Sequence, residues 1–123
     1  MRQEQLRRMT PDQLVERFES HALDQDKALL RNEIAKFNVL FRRMRAIEEE
    51  LKSRPGDQRR RLLNLFGHAN IQVRLTAAEA TLAVAPEAAR QMLETIASSR
   101  KFPHAGHAGM TLAGLDDGTF KPT

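Results

Sequence analysis

A chain of 123 residues has room for one domain with a core and none for a second. Hydrophobic residues make up 41% of it and charged residues 29%, which is typical of a folded globular protein and argues against disorder of the whole chain. It has no cysteine, which excludes disulfides, thiol catalysis and thiolate metal sites. The formal charge of +4 indicates nucleic-acid binding only weakly, because Arg2, Arg7 and Arg8 all precede Met9 with Glu4 alone against them.

Residues 1–9 are polar and predict a flexible N-terminal extension. They contain no apolar region of the kind that a secretion signal needs. No stretch of the chain approaches the roughly 20 apolar residues of a membrane helix. We therefore expect a cytoplasmic protein that does not bind membranes.

Two helices are predicted before the first clear break in the chain. Thr10-Pro11-Asp12-Gln13 is typical of a helix start, which predicts a helix from residue 10 to about residue 23. A second helix is predicted over residues 26–53, where apolar residues recur every seven positions, at Leu30, Phe37, Met44 and Leu51. We favour one long helix inside a bundle, and a coiled coil is the alternative.

Arg54-Pro55-Gly56-Asp57 predicts a break, followed by a helix over residues 58–66. That helix begins with Arg59, Arg60 and Arg61, which oppose the helix dipole at a small electrostatic cost. The arginines could form a site for an anion or an acidic partner. They could also pair with the glutamates of residues 48–50, which is the interpretation that we favour.

Residues 68–97 predict two helices joined at Pro86, the first over residues 70–84 with Asn70 as its N-cap. The first of the two carries two apolar stripes, so it must be covered on both sides. We expect Leu75, Ala78 and Leu82 to be among the most buried residues of the protein.

The tail over residues 100–123 is rich in glycine, yet it is too apolar to remain in water. We predict an irregular tail that docks on the helices, with one short helical segment around residues 108–115. The residues that require this burial are Phe102, Met110, Leu112, Leu115 and Phe120. His104 and His107, followed by Asp116 and Asp117, are a weak metal signal, because glycines interrupt the segment, and we expect no metal site.

The run from Leu62 to Leu82, with Val73-Arg74 after the turn and Ala77-Ala78 beyond it, is similar to the HEAT-repeat pattern, although Asn70 stands where that pattern usually has Asp. From Met9 to Thr123 the chain resembles a small bacterial family of HEAT-like proteins known as domain of unknown function 2019. The segments that carry this resemblance are RPGDQRR from residue 54, VRLTAAEATLAVAPEAAR from residue 73 and FPHAGHAGMTLAGLDDGTFKP from residue 102.

The pattern and the resemblance together predict an all-α fold. We expect a small right-handed HEAT-like α–α superhelix of about five helices with an irregular docked C-terminal tail. It would be a single domain over residues 10–123. The family resemblance implies no activity.

No residues suggest catalysis or a cofactor: there is no nucleophile beside a base, no pair of carboxylates in a glycine-bounded loop and no phosphate-binding loop. We expect a non-enzymatic protein-binding module, since HEAT-like grooves usually bind protein segments. The resemblance puts five candidate partner-binding residues near the concave face, namely Arg59, Arg60, Arg61, Arg90 and Arg100. One alternative is a nucleic-acid-binding protein that uses this arginine-rich face, and another is a structural homodimer formed through the long second helix.

Overall fold

The computed structural model describes residues 3–123 of the chain, with side chains from residue 5 onward. Within that range the chain is helical and has no strands, which confirms the all-α prediction. It forms two compact units, Met1–Arg61 and Leu62–Thr123. A single domain over residues 10–123 stays a prediction. In chain order the elements are α1 (Gln3–Arg7), α2 (Pro11–Leu30), α3 (Ile34–Ser53), a 3₁₀ helix (Gln58–Gly67), α4 (Ile71–Thr81), α5 (Pro86–Ala97) and α6 (His104–Asp117).

The N-terminal extension is not without structure. Residues 3–7 form α1, which packs against α3, and Leu6 is buried. The guanidinium of Arg54 holds the end of this helix by donating to the carbonyl oxygens of Leu6 at 3.0 Å and Met9 at 2.8 Å. Residues 3–9 therefore have a defined place against α3 in this structure. The flexible extension over residues 1–9 stays a prediction, and residues 1 and 2 lie outside the described part of the chain.

Helix α2 begins where the sequence predicts. The backbone N–H of Gln13 donates to the Thr10 hydroxyl at 3.1 Å, and the N–H of Thr10 donates to the Gln13 side chain at 2.9 Å. This reciprocal pair satisfies two amides that have no partner within the helix. Pro11 occupies the first turn, where a missing N–H costs nothing.

The chain turns between α2 and α3 at residues 31–33, and not near residue 24 as the sequence predicts. Gln25, expected in the turn, is buried in α2, and its amide lies 3.5 Å from the carbonyl oxygen of Phe37. Asn32 takes a left-handed φ of 55°, which asparagine tolerates better than most residues. The N–H of Glu33 then donates to the carbonyl of Ala28 at 2.8 Å. The single helix over residues 26–53 was wrong because this turn uses neither proline nor glycine.

The break after α3 is confirmed. Gly56 has a φ of 79° and Asp57 a φ of 52°, so the chain cannot continue as a helix there. The segment that follows is a 3₁₀ helix, whose three residues per turn distribute its side chains differently from an α-helix.

The second unit is built on α4 and α5. The Asn70 side chain accepts from the N–H groups of Gln72 at 2.8 Å and Val73 at 3.1 Å, which confirms its capping role. Helix α4 ends at Thr81, three residues earlier than predicted, and residues 82–85 lead into α5 at Pro86. The core of this unit contains the three residues predicted to be most buried; its members are Leu75, Ala78, Leu82, Ala89, Leu93, Ile96 and Ala108.

The C-terminal tail is more regular than the sequence suggests. It forms the 14-residue helix α6, which packs against α5 and α4. Leu112 and Leu115 lie against the core as expected, whereas Phe102 is 73% exposed and Met110 is 77% exposed. The prediction of an irregular tail is therefore wrong, and so is the predicted burial of Phe102, Met110 and Phe120, the last of which is 39% exposed. Gly118, with a φ of 79°, ends the helix.

Candidate functional site

Arg59 forms an ion pair with Asp57, a residue of its own unit. Its guanidinium donates to both carboxylate oxygens of Asp57, from Nε at 2.9 Å and from Nη2 at 2.7 Å. These hydrogen bonds hold the pKa of Asp57 below its usual range. Because a bidentate pair of this kind satisfies both planar groups, Arg59 is poorly placed to recognise a partner.

Arg60 and Arg61 do not join Arg59 in one patch. Arg61 donates to Asp12 at 2.9 Å and to the Gln58 side chain at 2.7 Å, while the side chain of Arg60 is exposed. In a 3₁₀ helix successive side chains point about 120° apart, so three consecutive residues face three directions. The sequence favours pairing of these arginines with the glutamates of residues 48–50. In the structure, Arg59 binds Asp57 and Arg61 binds Asp12 instead.

Arg90 and Arg100 belong to the second unit. Arg90 joins α5 to α6 through an ion pair with Asp116 at 2.8 Å, and Glu94 lies 3.7 Å away. Arg100 lies in the exposed connection between the two helices, with a left-handed φ of 61°, and makes no ion pair with any residue that the structure describes. Three of the five candidate arginines therefore already bind a carboxylate, namely Arg59, Arg61 and Arg90.

The histidines and aspartates of the tail also have local roles. His107 Nε2 lies 2.8 Å from Glu79, and the Thr111 hydroxyl donates to the same carboxylate oxygen at 2.8 Å. The hydrogen bond with Glu79 raises the pKa of His107. Asp117 accepts from the backbone and the hydroxyl of Thr119. Among residues 3–123, no three His, Asp or Glu side chains come together in a group that could hold a metal ion.

One face of α6 is exposed and carries no charge. Gly106, Met110 and Ala113 are spaced four and three residues apart, which puts them on one side of the helix, and all three are exposed. The ring of Phe102 lies beside Gly106, where an added Cβ would be 3.7 Å from the ring. The opposite side of the helix is buried, at His104, Ala105 and Ala108. We refer to Phe102, Gly106, Met110 and Ala113 as the α6 face.

The α6 face is the feature that sequence reasoning missed. Fourteen consecutive residues, 102–115, contain no Asp, Glu, Lys or Arg in a chain that is 29% charged. Such a segment can be uncharged because it is buried or because it contacts a partner, and the sequence alone predicts burial for its large apolar side chains. A surface of this kind, apolar and continuous, marks an interaction site more often than a scattered exposed residue does.

No helix among the described residues has the length and apolar character needed to cross a bilayer.

Comparison with known proteins gives a family and a close structural relative. No curated protein matches the chain significantly. The crystal structure of the protein RPA1889 from Rhodopseudomonas palustris CGA009 is similar at 57% sequence identity and a TM-score of 0.94, over 96% of this chain and 98% of that one. The family model described as domain of unknown function (DUF2019) matches residues 12–116. The chain therefore belongs to the domain of unknown function 2019 family.

Proposed function

We propose that this protein is a non-enzymatic, cytoplasmic, HEAT-like module that binds another protein. The observation that carries the proposal is the α6 face, where Phe102 and Met110 are more than 70% exposed on a helix side without charge. Burial of such side chains against a partner is favourable by about 25 cal/mol per Å² of apolar surface. A large aliphatic or aromatic side chain at the centre of a contact is also the usual anchor of a protein interface.

The contact surface in this proposal differs from the arginine face expected from the sequence. Arg59, Arg61 and Arg90 each bind a carboxylate, so a partner that used them would first have to displace Asp57, Asp12 or Asp116. An apolar partner segment meets no such competition on the α6 face.

A matched pair of variants tests the proposal. Met110→Glu puts a charge in the middle of the α6 face, and Gln91→Glu puts the same charge on an exposed position of α5. The wild-type chain, used as bait in host cytoplasm at about 0.5 M salt, where exposed charges are screened within a few ångströms, should retain a protein that Gln91→Glu also retains and Met110→Glu loses. Equal retention by all three chains would contradict the proposed surface.

Nucleic-acid binding remains the second candidate, on the ground of the +4 charge. It would weaken steeply with salt, by about one power of the salt concentration for each phosphate contacted. A titration with mixed-sequence DNA and RNA at two salt concentrations separates the two functions. Micromolar binding at moderate salt that disappears in the Arg59→Ala, Arg60→Ala, Arg61→Ala triple variant would overturn the protein-partner proposal.

A further inference from the structure

A polar cluster joins α6 to α4 in the second unit. His107 Nε2 lies 2.8 Å from a carboxylate oxygen of Glu79, and the Thr111 hydroxyl donates to the same oxygen at 2.8 Å. His107 and Thr111 are about one turn apart on α6, whereas Glu79 belongs to α4. Two side chains of one helix therefore hold a carboxylate of the other. We call these three residues the α4–α6 clamp.

The clamp lies at the half of α6 that has the least apolar support. The second half of the helix packs against the core through Leu112 and Leu115. The first half buries two alanines, Ala105 and Ala108, together with the ring of His104. Because an alanine removes little apolar surface from water, this end of α6 depends more strongly on the clamp than the other end does.

The strength of the clamp depends on the charge of His107. An unperturbed histidine has a pKa of about 6.5, so its charge changes near neutral pH. In the protonated ring, Nε2–H donates to the Glu79 carboxylate as part of an ion pair, and such a charged hydrogen bond is about twice as strong as a neutral one. After loss of the proton the ring retains one N–H and the ion pair disappears.

The sign of the pH effect follows from the same contact. The hydrogen bond with Glu79 raises the pKa of His107, so the folded chain binds this proton more tightly than the unfolded chain does. The stabilisation is therefore fully present below about pH 6.5, and it is lost as the pH rises through the higher pKa of the folded state.

Glu79 is the charged group that acts on His107 among the residues that the structure describes. Its hydrogen bond has the largest effect on the pKa of His107, and burial of the ring opposes it. Arg90 of α5 binds Asp116, which is nine residues, or about 13 Å, farther along α6. The other charged or titratable side chains on these elements are Arg74 of α4, Glu87 and Glu94 of α5, Arg100 and Lys101 before α6, and His104 and Asp117 of α6.

We propose that the α4–α6 clamp is a pH-sensitive contact, which holds the first half of α6 firmly on α4 when His107 is protonated and loosens it when His107 is neutral. Because α6 carries the α6 face, the pH determines how firmly that surface is attached to the second unit. This role of the clamp does not depend on whether a partner binds the α6 face.

Amide hydrogen exchange of the full chain tests the proposal, because it reports on α6 separately from the other histidines. Rates are measured at about pH 6 and about pH 8.5 and divided by the intrinsic rate at each pH. His107 is 59% exposed and Glu79 28%, so the pair has the modest strength of ion pairs near the surface. Protection of residues 105–111, relative to α5, should fall by about two- to fivefold at the higher pH.

Three variants isolate the clamp. Glu79→Gln keeps an oxygen that can accept from His107 but removes the charge, so the difference between the two pH values should disappear. Glu94→Gln is the matched control, because it removes another carboxylate of the second unit, 3.7 Å from Arg90, and should keep the difference. His107→Lys stays positively charged up to about pH 10, so its protection should be the same at both pH values. An NMR titration of the His107 ring should also give a lower pKa in Glu79→Gln than in the wild type.

The opposite results overturn the proposal. Equal protection of residues 105–111 at both pH values in the wild type would show that the charge of His107 does not affect α6. A difference that persists in Glu79→Gln would assign the effect to another group, such as the buried His104. Loss of the difference in Glu94→Gln would show a general effect of surface charge. If Glu79→Gln does not fold, His107→Lys decides, because protection that still falls at the higher pH contradicts the clamp.

Discussion

Arg54 is expected to be the residue on which the docking of α1 depends. Its Nη2 donates to the carbonyls of Leu6 and Met9, and Arg7 offers a third, longer contact at 3.4 Å. Its Nε donates to Glu50 at 2.7 Å, one turn earlier on α3. One guanidinium thus donates to carbonyls at the end of α1 and fixes them to α3, although the Leu6 carbonyl also accepts from the N–H of Met9 at 3.1 Å. Arg54→Ala should release residues 3–9 from the unit.

The expected loss of stability follows from the burial of the ion pair between Arg54 and Glu50. The side chains of Arg54 and Glu50 are only 20% and 11% exposed, so removal of the arginine leaves a largely buried carboxylate without its cation. Breaking a fully buried pair costs about 3–5 kcal/mol, and each lost charged hydrogen bond about 1.5–3 kcal/mol. Water can reach the freed carbonyls near the end of the chain, which offsets part of this cost. We expect Arg54→Ala to lower the free energy of unfolding of the first unit by about 2–4 kcal/mol.

Amide hydrogen exchange measured together with urea unfolding tests this expectation. Exchange at residues 3–9 should accelerate more than exchange in α2. Arg45→Ala removes an arginine of α3 whose own side chain is 57% exposed and lies 3.4 Å from Glu48, and it should cost less than about 1 kcal/mol. Arg54→Lys keeps the charge without the planar fork and should recover only part of the loss. Unchanged exchange at residues 3–9 in Arg54→Ala would show that the guanidinium does not hold α1 in place.

Three further predictions concern the core, a buried histidine and the tail. Leu82→Ala should cost about 2–5 kcal/mol, because it leaves a cavity in the core of the second unit, and an unchanged thermal midpoint would contradict this. Burial, with Arg43 and Arg17 nearby, lowers the pKa of His21 below 6.5, so the folded state binds fewer protons and stability should fall as the pH drops below about 6.5. His21→Gln should lose less stability than the wild type between pH 7 and pH 5, and an equal loss would show that His21 is not the cause. Truncation after Ser99 removes α6 from the core and should lower the thermal midpoint or the solubility; fast amide exchange throughout residues 102–120 of the intact chain would show instead that α6 is not docked.

Helix starts and one break could be predicted because a few residues determine them locally. Thr10 and Gln13 satisfy each other's amides, and Asn70 accepts from two N–H groups of its own first turn. Pro55-Gly56 stops a helix by its covalent structure. The turn at Asn32 was not predictable in this way, because asparagine also occurs inside helices and its left-handed conformation depends on how α2 and α3 meet.

The candidate site was harder to predict because exposure depends on tertiary packing. Arg59 and Arg61 are conspicuous in the sequence, yet Asp57 and Asp12 bind them, and Asp12 is 49 residues away from Arg61. Met110 and Leu112 are both apolar residues of the tail, and only the orientation of α6 puts one in water and the other against the core. On a helix with 3.6 residues per turn, Met110 and Leu112 lie on different faces. The glycines of the segment, however, argued against a regular helix there.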